Sequence, residues 1–162
     1  MSVNIRRKVT AISLMVVAAT LTSCGTSQGV NPSAEQVEVQ LTNVMYDTAD
    51  QLDVGEWSPI GGRPRPAPCT GSETSKFGWS IGAESQGEEP LEDAKMVRDY
   101  WRSLGMDARL VEGPNPAVYG SGAGTAAIEF SSGPRRYSIW ATSLCAIGSS
   151  ADLEHRPTLP PR

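Results

Sequence analysis

Phe77-Gly78-Trp79-Ser80-Ile81-Gly82-Ala83 alternates apolar residues with glycine or serine without a break. A period of two marks a half-buried strand, because successive side chains of a strand point to opposite faces. Glu84 to Glu89 is polar, and from Pro90 the period changes. Leu91, Ala94, Val97, Trp101 and Leu104 recur at three, three, four and three, which is one face of a helix. Pro90 suits a first turn, where no N–H is needed. Glu88, Glu89, Glu92 and Asp93 gather where the helix dipole favours negative charge. Gly105 stands where a left-handed cap ends the helix. A strand that buries one face, followed by a helix with one apolar stripe, specifies two packed layers.

Working outward from this unit adds further elements. Ser33 and Gln36 have capping-box spacing, and Val37, Leu41, Val44, Met45, Ala49 and Leu52 line one face of a helix expected from Ala34 to Leu52. Gly55 to Thr70 holds Trp57, Gly61, Gly62 and prolines at 59, 64, 66 and 68. That excludes a helix or a central strand and leaves an extended connection. Met106 to Glu112 reads as a short strand, and Gly113 to Gly124 as a loop rich in glycine and proline. Thr125 to Phe130 is a strand with Ala126, Ile128 and Phe130 on one side. Ser131 to Pro134 is a turn. Arg135 to Leu144 is a last strand, with Tyr137, Ile139 and Ala141 opposing Ser138, Trp140 and Thr142. Short links favour antiparallel pairing. The expected fold is α+β: a two-layer sandwich of order α-β-α-β-β-β, with a roughly four-stranded antiparallel sheet and two helices on one face.

The ends of the chain give its address. Arg6, Arg7 and Lys8 precede an uncharged apolar run from Val9 to Leu21, 13 residues long. A spanning helix needs about 20, so residues 1–23 read as a signal peptide. The run ends in Leu21-Thr22-Ser23-Cys24. An aliphatic residue, two small ones and a cysteine resemble the lipobox of bacterial lipoproteins. That resemblance implies a thioether-linked diacylglycerol on Cys24 and cleavage before it. Residues 24–32 are then a tether, 33–147 a single α+β domain and 148–162 a polar, proline-rich disordered tail. Cleavage would remove 23 of 162 residues, leaving 139. It would remove three of 14 basic residues and none of 18 acidic ones, taking the net charge from −4 to −7. Nucleic-acid binding needs a basic face and is disfavoured, and no polybasic membrane patch exists. The lipid is therefore the expected membrane contact, anchoring the chain on the extracytoplasmic face.

With Cys24 assigned to the lipid, Cys69 and Cys145 remain. Outside the membrane the compartment permits oxidation, and one Cys69–Cys145 disulfide is the economical reading. Two buried thiols or a metal pair are the alternatives. No metal-ligand spacing exists, and the only histidine, His155, lies in the tail.

The lipobox, the amphipathic helix, a cysteine before a Trp-bearing strand, Tyr100-Trp101-Arg102-Ser103-Leu104-Gly105 and the terminal Ser143-Leu144-Cys145 together resemble the small LppA-like lipoproteins of mycobacteria and other actinobacteria. The resemblance rests on layout. It implies a surface lipoprotein of unassigned role and supplies no catalytic residues.

Other constellations give no chemistry. Gly120-Ser121-Gly122-Ala123-Gly124-Thr125 has a threonine where a dinucleotide loop needs glycine, and no helix follows. Asp47, Asp50 and Asp53 read as a solvated helix face rather than a calcium loop. No Gly-x-Ser-x-Gly elbow is present. The expectation is a membrane-anchored, non-enzymatic envelope lipoprotein without cofactor or metal, acting on an envelope protein partner. Trp57, Arg63, Arg65 and Trp140 are the candidate contact residues. The alternative is a carrier of a small ligand or lipid in a groove between sheet and helices.

Overall fold

A computed structural model describes residues 32–70, 73–84 and 87–155; Cys24 and the signal peptide lie outside them. Eleven elements follow one another: α1 (Ala34–Ala49), β1 (Trp57–Pro59), β2 (Arg65–Pro68), β3 (Thr74–Ala83), α2 (Pro90–Ser103), β4 (Asp107–Val111), β5 (Ala117–Gly122), β6 (Thr125–Gly133), β7 (Arg136–Ser143), β8 (Ala146–Ile147) and α3 (Ser150–Glu154). The class is α+β as expected, but among the described residues the sheet has eight strands rather than four, all antiparallel, and there are three helices rather than two.

The sheet runs β1-β3-β7-β6-β5-β4, with β2 and β8 also paired to β3. On one side β3 pairs with β1 and β2, and on the other with β7 and β8. The connection expected over 55–70 thus supplies two short edge strands. Pro66 and Pro68 cannot donate to a ladder, which suits an edge. β5 lies inside the segment read as a loop. α3 begins two residues into the segment expected to be a disordered tail, capped by Ser149, whose Oγ accepts from the Asp152 N–H.

α1 begins with the expected capping box: the Gln36 N–H donates to Ser33 Oγ at 3.2 Å, and the Ser33 N–H donates to Gln36 Oε1 at 2.8 Å. α1 packs on β7 and β3, and α2 on β4, β5 and β6. One core forms between these layers, from Val37, Leu41 and Met45 of α1, Val97 and Trp101 of α2, and Phe77, Ile81, Phe130, Tyr137 and Ile139 of the sheet. Trp79 and Trp101 are buried, as their periodicity requires. Ala126 is exposed instead of facing the core with Ile128 and Phe130, because the β6–β7 register shifts between Thr125 and Ala127. Among the described residues no helix is long and apolar enough to cross a membrane.

Cys69 and Cys145 form a disulfide with Cα atoms 6.4 Å apart. Cys69 follows β2 and Cys145 sits between β7 and β8, so the bridge joins the two neighbours of β3 across its first residues.

Candidate functional site

The helices cover one face of the sheet, and the register defines what stands on the other. Ser80 lies opposite Trp140, Trp140 opposite Glu129, Glu129 opposite Tyr119, and Tyr119 opposite Arg109. These five residues make one row across the sheet, because directly paired residues point to the same face. Their strand neighbours Trp79, Ile139, Ile128 and Val118 point into the core. Trp140 is 45% exposed and Tyr119 40%.

At the β2 edge the row opens into a cleft of about 300 Å³ lined by Ile60, Arg63, Arg65, Ser80 and Trp140, with Gly61 and the backbone of β3. The loop before β2 builds its rim. Gly61 and Gly62 have φ of +78° and +91°, values open to glycine at no steric cost. Trp79 Nε1 donates to the Gly62 carbonyl at 2.7 Å, tying the loop to the core. Ile60 lies over Gly82, where a Cβ would stand 2.8 Å from Ile60 Cδ1. Arg63 Nη2 donates to the Glu154 carbonyl at 2.6 Å, so α3 helps to fix this rim. At the opposite edge, Asp107, Arg109, Tyr119, Gly120 and Ser121 line a second cleft of about 280 Å³. There the Arg109 guanidinium lies 5.1 Å from the centre of the Tyr119 ring.

Three of the four candidate contact residues, Arg63, Arg65 and Trp140, therefore meet in one cleft. Trp57 does not join them. It pairs with Ala83, is half-buried against the core, and its Nε1 has no hydrogen-bond partner among the described residues. Sequence reasoning missed Ile60, Tyr119 and Arg109. Ile60 sits in an irregular loop, and Tyr119 lies in the strand that was read as a loop. Arg109 falls in a predicted strand, and alternation there could have found it.

The space between sheet and helices is filled. Leu41, Met45, Trp101, Phe130, Tyr137 and Ile139 meet there, each completely buried. Trp101 Nε1 donates to Thr48 Oγ1 at 2.8 Å, joining the two helices through a buried hydrogen bond.

Charge divides between the two layers. α1 carries Glu35, Glu38 and Asp47 with no lysine or arginine, and Asp50 and Asp53 follow it. On the uncovered face the register places Arg65, Lys76, Arg109 and Arg136 against only Asp107 and Glu129. None of those four cations makes an ion pair among the described residues; the pairs shown, Lys95–Glu92 and Arg98–Asp99, lie on α2.

No family model and no curated protein matches this sequence. Among solved structures, a DUF4853 family protein from Actinomyces odontolyticus is similar at 16% identity and a TM-score of 0.52, over 82% of this chain and 75% of that one. LppA from Mycobacterium tuberculosis, a candidate lipoprotein, is similar at 16% identity and a TM-score of 0.48, over 80% of this chain and 87% of that one. The first likeness shows a shared fold.

Proposed function

We propose that this chain is a cell-envelope lipoprotein anchored through Cys24 on the extracytoplasmic face of the membrane. It acts without catalysis, as an accessory factor that holds a partner protein against the uncovered face of its sheet. The observation that carries this reading is that face itself: Trp140, Tyr119 and Ile60 stand exposed on the side of the sheet that α1 and α2 leave uncovered. Exposed aromatic side chains flanked by arginine are common anchors of protein interfaces. Among the described residues the Trp140 cleft is lined by arginine, aromatic, aliphatic and small side chains, a set that suits contact better than the acid–base chemistry of group transfer. Residues 24–32 reach at most about 30 Å when extended, which keeps the domain and its partner close to the bilayer. Two acyl chains are enough for stable anchoring.

The test places a photocrosslinking residue at Ser80, beside Trp140, and in a control at Asp50 on the helical layer, in the chain in its own membranes. Protein crosslinks are expected from position 80 and not from position 50. The membrane-extracted chain should have the mass of an acylated polypeptide beginning at Cys24, and Cys24→Ala should release it from the membrane fraction. Crosslinks from position 50 alone, or an unacylated mass, would overturn the reading.

A further inference from the structure

On that docking reading, we infer that the partner offers an extended, carboxylate-rich segment with an apolar side chain, which crosses the uncovered face with the apolar group in the Trp140 cleft. The argument is one of charge. The chain has more carboxylates than cations, 18 against 14. What sets this face apart is the balance of charge upon it, four cations against two carboxylates. Arg65, Lys76, Arg109 and Arg136 stand on one face with no ion pair among the described residues. The carboxylates collect on and around α1 and at the start of α2 instead. A face that is basic on an otherwise acidic protein attracts an acidic partner and sets its orientation on approach.

Geometry selects the form of the segment. Arg65 and Arg109 lie at opposite edges of the sheet, β2 and β4, with five strand spacings between them. At about 4.8 Å per spacing this is about 24 Å, the length of about seven extended residues. Between the two arginines the row offers one aromatic ring free of a cation, Trp140, since Arg109 already lies over Tyr119. Trp140 and Ile60 together form the apolar wall of the larger cleft. The face therefore matches carboxylates at both ends of a short strand of chain and an apolar side chain in between. A sugar polymer would instead call for two free ring faces, and Tyr119 does not supply one.

The test uses the full chain in detergent and a labelled peptide of about seven residues, glutamates around a central leucine, with fluorescence polarisation as the readout. Binding is expected for this peptide and not for its Gln or Lys counterparts. Added salt should weaken it by about tenfold or more, as screening requires. Arg65→Ala with Arg109→Ala should weaken it at least tenfold, and so should Trp140→Ala, each with an unchanged melting transition. All three residues are exposed, so these variants should fold, and Arg65→Lys should retain binding. Equal binding of the Gln peptide, or full binding by the double arginine variant, would overturn the inference. So would phosphatidylglycerol vesicles that bind unlipidated Cys24→Ala chain with the same dependence on Arg65 and Arg109, because the face would then read a lipid surface. If the acidic peptide fails while position 80 still crosslinks to a protein, the docking reading stands and the acidic segment falls. If position 80 crosslinks to nothing, the docking reading itself falls.

Discussion

At the scale of single residues, the side chains that appear chemically active serve the fold. Tyr137 is fully buried, and its hydroxyl donates to Asp93 Oδ2 at 2.5 Å. The pair ties β7 to the first turn of α2. Gly87 completes it, because a Cβ there would collide with the Asp93 carboxylate. The Tyr137 ring also meets Phe130 edge to face, with centroids 5.0 Å apart. Burial, and then the hydrogen bond to Asp93, push the Tyr137 hydroxyl well above the ordinary tyrosine range. The consequence for stability has a definite sign. Above about pH 10 the unfolded chain gives up this proton while the folded chain keeps it. The contribution is thus fully present below the ordinary tyrosine value and is lost as pH rises through the elevated one. Urea unfolding should show a midpoint that falls as pH rises above about 10, and Tyr137→Phe should shallow that fall. At neutral pH the same substitution should cost about 1–3 kcal/mol, because it leaves the half-buried Asp93 without its donor. An equal alkaline fall in wild type and variant would show that the slope arises elsewhere.

At the scale of elements, legibility followed periodicity. α1, α2, β3 and β7 each keep their period over several turns or residues, and each lies where the pattern places it. The run Tyr100 to Gly105 is likewise explained in the fold. Trp101 fills the core, Arg102 Nε and Nη2 both donate to the Ala108 carbonyl of edge strand β4, and Gly105 takes φ +76°. The short edge strands β1 and β2 were hidden because prolines and glycines there set the geometry of an edge rather than a pattern of burial. β5 was hidden for a different reason. Its Gly120 faces the core, where a Cβ would stand 2.9 Å from Trp101 Cε3. The indole that makes α2 legible thus imposes the glycine that made β5 look like a loop. The candidate cleft was legible as residue types, Arg63, Arg65 and Trp140, but its completion by Ile60 needed the loop's course in three dimensions. The β5–β6 hairpin offers a paired test. Gly120→Ala should overpack the Trp101 contact and destabilise by about 1–3 kcal/mol. Further along the hairpin, Ala123 and Gly124 have φ of +47° and +85°, the mark of a type I′ turn that favours asparagine before glycine. Ala123→Asn should therefore stabilise by up to about 1 kcal/mol. Denaturant midpoints that move the same way for both variants would refute this account of the hairpin.

At the scale of the whole molecule, β3 joins the parts together. It lies between both edge strands on one side and β7 with β8 on the other. Its inward residues Phe77, Trp79 and Ile81 meet the core, and its outward residues Gly78 and Ser80 line the Trp140 cleft. Its first residues depend on neighbours that are themselves short, since β2 has four residues and β8 has two. Strands that short contribute few cross-strand contacts, so the ladder alone would hold that end weakly. The Cys69–Cys145 bridge joins those two neighbours over β3 and closes a span of 76 residues. In the chain-entropy model a loop of that length stabilises the fold by about 4 kcal/mol. For a domain of this size that is a large share of the whole. Reduction, or Cys69→Ser with Cys145→Ser, should lower the melting temperature by on the order of 10 °C. The loosening should begin at the β2–β3–β8 end, so amides of Lys76 and Phe77 should exchange sooner than those of Ile139 and Phe130 in the sheet centre. Because Lys76, Gly78 and Ser80 then lose their fixed register against Trp140, the reduced chain should also bind the acidic peptide less tightly at temperatures where it is still folded. An unchanged melting transition on reduction would mean that the ladder and core hold β3 unaided. Loss of peptide binding without a change in melting would instead place the role of the bridge at the cleft.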